Sequence, residues 1–127
     1  MSNTETKGIR INVEPEYLPQ RSDPTKPIYF FAYHITITNE SDDKIQLVSR
    51  YWHITDSNGN VEEIRGPGVV GKQPNLKAGE SFKYTSFCPL PTEFGVMHGA
   101  FQMVRSDGAA FDARIKPFKL AVPFSVN

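Results

Sequence analysis

Three glycines at positions 66, 68 and 71, bracketed by Arg65 and Lys72, spell GxGxxG and are the residues of this chain best spaced to hold an anion. Successive backbone amides in turn conformations make a concave phosphate site, and the two flanking cations would add positive charge. In a dinucleotide-binding protein such glycines open a helix onto a pyrophosphate. Here Pro74 comes three residues after Gly71, Gly79 lies shortly beyond, and no apolar residues recur at helical spacing between them. That context excludes the helix, and with it the dinucleotide fold. Two readings stay open for the loop. In one, Arg65, Gly66, Gly68, Val69, Val70, Gly71 and Lys72 bind pyrophosphate or a nucleotide phosphate, with Pro67 removing one amide donor from the cradle. In the other, the glycines supply positive φ or close strand approach in a long hairpin connection and bind nothing.

The remaining reactive residue types form no pattern that chemistry requires. His34, His53 and His98 stand apart, with no HxH, HxxxH or Cys/His cluster, so the spacing gives no support to a transition-metal site. Asp42-Asp43 and Glu62-Glu63 are adjacent pairs whose side chains diverge on extended backbone, which fits solvated charge rather than magnesium ligation. Cys88 has no second cysteine to pair with and sits in Phe87-Cys88-Pro89, as a buried thiol would. There is no GxSxG elbow and no inferable carboxylate pair. No enzyme activity, resident metal or cofactor is therefore expected, although a weakly held divalent cation or phosphate would be compatible with the loop.

Composition narrows the class further. A chain of 127 residues fits one domain and can bury a core without disulfides or metal. Hydrophobic residues make up 39%, too many for a disordered chain and too dispersed for a membrane span. Fourteen basic side chains balance fourteen acidic ones, so no net positive field exists to draw nucleic acid. A lone cysteine and an N-terminus without an apolar run point to a reducing, cytoplasmic setting.

The elements that must position these residues read as strands. After a polar tail over residues 1–8, expected to be disordered, Ile9, Ile11 and Val13 alternate with Arg10, Asn12 and Glu14. Four prolines between Pro15 and Pro27 predict an irregular connection. Tyr29 to Asn39 is the clearest strand, with Phe31, Tyr33, Ile35 and Ile37 on one face. Ile45 to Thr55 carries bulk on both faces, including Tyr51 and Trp52, which predicts a central strand. The Asn58-Gly59 turn then leads to a strand from Val61 to Arg65 that runs into the glycine loop. Further strands follow over Ser81 to Phe87, Val96 to Arg105, and from Phe111 onward, where a change of parity places Pro117 at an edge bulge. About seven short strands and no helix predict an all-β, two-sheet antiparallel sandwich, immunoglobulin-like or fibronectin type III-like, as a single domain over residues 1–127.

Five segments in order, FAYHITITNES from Phe31, LVSRYWHITDSNG from Leu47, RGPGVVGKQP from Arg65, KAGESFKYTS from Lys77, and GVMHGAFQMV with the DGAAFDARIKPFKL that follows, resemble the ApaG family over nearly the whole chain. Tyr51 stands where that family often carries His, Phe87 where Gly is common, and Phe101 where Tyr is usual. The resemblance implies a fibronectin type III-like sandwich without an agreed enzymatic activity. It also implies a genetic association with cobalt and magnesium resistance or efflux, and frequent encoding beside a diadenosine tetraphosphate hydrolase. Related domains are fused into eukaryotic F-box and polymerase-interacting proteins, which implies a module that binds a protein partner. Phe94, Phe111 and Phe118, near turns or the last strand, are candidates for an apolar docking patch. The expected function is thus non-catalytic partner binding, with no nucleic acid and no membrane, and phosphate binding by the glycine loop is the alternative.

Overall fold

A computed structural model describes residues 1–123, so the last four residues of the expected domain lie outside it. The described chain forms β1 (Ser2–Thr6), β2 (Ile9–Tyr17), a 3₁₀ turn (Pro19–Arg21), β3 (Tyr29–Asn39), β4 (Ile45–Asp56), β5 (Val61–Pro67), β6 (Asn75–Leu76), β7 (Ser81–Leu90), β8 (Phe94–Arg105) and β9 (Ala110–Ala121). Every pairing is antiparallel. One sheet runs β1-β2-β3-β7 and the other β5-β4-β8-β9, with β6 continuing along β4 past the end of β5. The expected two-sheet antiparallel sandwich is what forms, and nine strands replace seven because β1 and the two-residue β6 carry no hydrophobic alternation to announce them.

Alternation decides what fills the space between the sheets. Ile9, Ile11 and Val13 of β2 and Phe31, Tyr33, Ile35 and Ile37 of β3 meet Trp52, Ile54, Met97, Phe101 and Met103 from the other sheet. Trp52 sits at the centre, edge-on to Tyr33, Phe101 and Phe118 at ring separations of 5.3, 6.2 and 5.9 Å. Each such aromatic pair adds about 0.5–1.5 kcal/mol beyond the area it buries. Phe118, a sequence candidate for a docking patch, is only 3% exposed and belongs to this core. The register shift opposite Met97 and Gly99 lets Ala113, Ile115, Phe118 and Leu120 all face inward, as the proline bulge predicts.

Two segments depart from the sequence reading. The polar tail is a strand: Lys7 and Gly8 take φ of 51° and 86° and turn the chain so that Thr6 pairs with Ile9. Its buried residues are Ser2 and Thr4, and their hydroxyls satisfy backbone groups of β9 where an apolar side chain would not. The proline-rich connection begins later than expected, because β2 runs through Pro15 to Tyr17. β1 covers β2 only as far as Val13, so Pro15 has a strand partner on one side alone and its missing N–H is tolerated.

The two sides of the sandwich close differently. On one, Ser2 Oγ donates to the Lys116 carbonyl at 3.0 Å, and the Lys116 and Arg114 amides donate to Thr4 Oγ1 and Thr6 Oγ1 at 3.0 and 3.3 Å. On the other, the outer edges of β5 and β7 have no strand partner among the described residues. A seam therefore opens between these two edges, and the glycine loop lies at one end of it.

Candidate functional site

The glycine loop is the excursion between β5 and β6. Val69 and Lys72 bond reciprocally, amide to carbonyl, at 2.8 and 2.9 Å, closing a two-residue turn whose central residues Val70 and Gly71 have φ of 43° and 78°. This is the positive-φ turn that suits a hairpin. Val69 is 1% exposed and belongs to the core, so its side chain is spent on packing. Gly68 has φ of 58°, and a Cβ there would lie 2.2 Å from the Lys72 carbonyl oxygen. Its amide donates to Val48 at 2.8 Å. Of the seven loop residues proposed from sequence, the amides of Gly68, Val69 and Lys72 already serve the fold. Arg65 lies elsewhere, stacked 4.3 Å above the Tyr51 ring.

What the loop does hold is Arg50. The register shifts between Leu47 and Ser49, so one extra residue in β4 turns Arg50, Trp52 and Ile54 toward the interior. Arg50 pairs with Gly66 across β4 and β5, and its guanidinium passes over that glycine. Nη1 donates to the Pro67 and Gly68 carbonyls at 2.9 and 3.0 Å. Among the described residues no carboxylate lies within ion-pair distance of Arg50, and Nε and Nη2 have no protein acceptor.

Beneath the loop, at the open seam, is a cleft of about 210 Å³ walled by Tyr33, Trp52, Tyr84 and Ser86 from the two sheets and by Arg50 and residues 69 to 71. Among the described residues the buried Tyr84 hydroxyl has no hydrogen-bond partner. Burial raises the phenol pKa of both Tyr84 and Tyr33, so both are neutral donors at physiological pH. A second cleft of about 210 Å³, lined by Ile54, Val61, Glu62, Pro89, Leu90 and neighbours, lies further along the same seam.

The histidines separate into two places. His34 lies on the outer face of the four-stranded sheet, bonded to Glu16 and Thr85 at 2.8 Å each. His53 and His98 are register partners on the outer face of the other sheet, stacked at 4.5 Å with planes 21° apart. Buried His53 Nδ1 has no partner among the described residues, and the His98 pKa is lowered, first by burial and then by His53 and Arg114. Next to this pair the Tyr51 hydroxyl donates to Glu63 at 2.7 Å. Among the described residues no three His, Cys, Asp or Glu side chains are grouped to hold a metal ion. The Cys88 thiol is 4% exposed and pushed up to about 12, mainly by burial, which leaves it protonated and unreactive.

Arg50 and Tyr84 are the residues that sequence reasoning misses. Arg50 reads as one charge among many in a strand with bulk on both faces, and only the bulge gives it an inward direction. The one available signal is local: a two-sided strand beside a glycine-rich edge.

Fold and site together define a two-sheet sandwich with one stitched seam, one open seam, and an arginine held over the open one by a glycine loop. The chain belongs to the ApaG domain family, whose model matches residues 19–105. It is similar to Protein ApaG of Methylobacterium sp. (strain 4-46), 51% identical over 123 residues covering 97% of this chain and 95% of that one. Protein ApaG of Beijerinckia indica is 50% identical over 125 residues, covering 98% and 96%. Among solved structures, the putative ApaA protein from Bordetella pertussis superposes with a TM-score of 0.89 at 46% identity, covering 92% of this chain and 95% of that one. No helix among the described residues is long and apolar enough to cross a membrane.

Proposed function

We propose that this protein is a non-catalytic binding module that takes a protein partner along the open seam between β5 and β7. The observation that carries this reading is the inequality of the two seams. β1 sews one shut with side-chain-to-backbone bonds, while the other presents two unpaired strand edges flanked by Val61, Ile64 and Phe87, which are 55%, 37% and 48% exposed. A free edge offers unpaired N–H and C=O groups to an extended segment, and pockets beside it select alternate side chains. Recognition is by complementarity, without bond making or breaking. The family resemblance adds an indirect role in cobalt and magnesium homeostasis, which does not require this chain to bind metal, and the lone cysteine fits a reducing, cytoplasmic setting.

Affinity capture with the tagged protein tests the reading when wild type is compared with Val61→Lys and Ile64→Lys. These variants place charge on the β5 edge at exposed positions, so folding should survive. A specific protein retained by wild type and lost by both variants is the expected result. Retention by every folded edge variant would remove the seam as the binding surface.

A further inference from the structure

We propose that the cleft beneath the glycine loop is a carboxylate-binding pocket, in which Arg50 and Tyr84 grip one acidic group of an extended partner segment lying in the seam. The inference rests on the reading of that seam as the partner surface, and it supplies the chemistry by which a partner is chosen.

Arg50 is a half-buried cation whose acceptors among the described residues are two carbonyls, those of Pro67 and Gly68, both reached by Nη1. A guanidinium carries five N–H donors in a planar fork. The donors on Nε and Nη2 remain, and their edge is the geometry that takes a carboxylate through two parallel bonds. Tyr84 lines the same cleft, and among the described residues its buried hydroxyl has no partner. A buried polar group without a partner is a defect in a folded chain unless something else completes it. One anion meeting both groups would complete the Tyr84 hydroxyl and neutralise the Arg50 charge.

Charge and size then choose the ligand. The cleft has a single cation among its walls, since Lys72 and Arg65 are not part of its lining. One positive charge matches a monoanion and falls short of a pyrophosphate. Its volume of about 210 Å³ lies below the ~300–1,000 Å³ of typical small-molecule sites, and suits one side chain or chain terminus better than a nucleotide. The rings of Tyr33, Trp52 and Tyr84 stand in its walls beside the Arg50 guanidinium. The loop glycines fit this role, because Gly66 leaves room for the guanidinium and Gly68 brings its carbonyl close enough to aim it.

The test uses the intact protein with N-acetylglutamate N-methylamide as probe and the glutamine analogue as its neutral control, followed by NMR of the Arg50 Nε and the backbone amides. Saturable shifts at Arg50, Val70 and Gly71 with the glutamate probe, and at least tenfold weaker binding of the glutamine analogue, are expected. Tyr84→Phe should keep the fold and weaken the glutamate probe about tenfold, as loss of one hydrogen bond to a charged group does. Arg50→Gln should abolish it. Equal binding of the two probes, or wild-type affinity in Tyr84→Phe, would overturn the pocket. Preferential binding of inorganic pyrophosphate, lost when Lys72 is neutralised, would overturn the carboxylate assignment. A partner captured through the β5 edge but held equally well by Arg50→Gln would sink this inference and leave the seam reading standing.

Discussion

Arg50 on β4 and Gly66 on β5 are register partners, and the Arg50 guanidinium lies where a Gly66 side chain would stand, its atoms 2.9 to 3.1 Å from the ideal position of the missing Cβ. The first and second glycines of the signature thus serve different ends. Gly66→Ala should displace the flexible end of Arg50 and cost about 1–3 kcal/mol, the worth of hydrogen bonds from a charged donor. Gly68→Ala meets the Lys72 backbone and a φ of 58°, and should cost more. Strain of about 1–2 kcal/mol from the left-handed backbone adds there to about 1–3 kcal/mol of overpacking. Urea unfolding of both variants checks the order. Adding Arg50→Ala to Gly66→Ala should cost little further, because both changes remove the same contacts.

Val70 holds a φ of 43° with a β-branched side chain that is 54% exposed. Asparagine enters the left-handed region more readily and gives up almost no packing at this site. Val70→Asn should therefore stabilise the protein by about 1 kcal/mol, seen as a higher urea midpoint at unchanged slope. An unchanged or lower midpoint would mean that the turn is held by contacts of the Val70 side chain.

Asn39 is fully buried, and its amide nitrogen donates to the Asp43 and Leu76 carbonyls at 2.7 and 2.9 Å while its oxygen accepts from the Ser41 amide and hydroxyl at 3.0 and 2.6 Å. One side chain thus ties the end of β3 to the following turn and to β6. Asn39→Ala should cost about 3 kcal/mol, because it orphans buried carbonyls as well as removing bonds. Hydrogen exchange should locate the loss at β6 and the 39–43 turn ahead of the central strands.

His98 predicts a pH dependence. Its folded pKa lies below the ordinary value because burial, then His53, then Arg114 disfavour the imidazolium. The unfolded chain therefore takes up the proton first as pH falls below about 6.5, and stability declines from there until the folded pKa is passed. The melting temperature should drop between pH 7.5 and 5, and His98→Gln should flatten that drop. Asp23 and Asp43, whose pKa values are lowered, act only at more acidic pH.

The sandwich was legible because apolar residues at every second position can be buried on only one side of a strand. Phe31 to Ile37 and Met97 to Met103 needed no further information. β1 was not legible, since Ser2 and Thr4 are buried for their hydroxyls and nothing in their apolar content marks them. Pro74 and the lack of helical periodicity after the GxGxxG stretch were enough to rule out a dinucleotide helix, since both act through local stereochemistry. The tertiary structure alone decided what the glycines face. Arg50 turns inward through a one-residue register shift at Val48, set by pairing with β8 some fifty residues along the chain, and Tyr84 reaches the same cleft from the other sheet. Such convergence depends on long-range register, which residue types and local spacing do not encode.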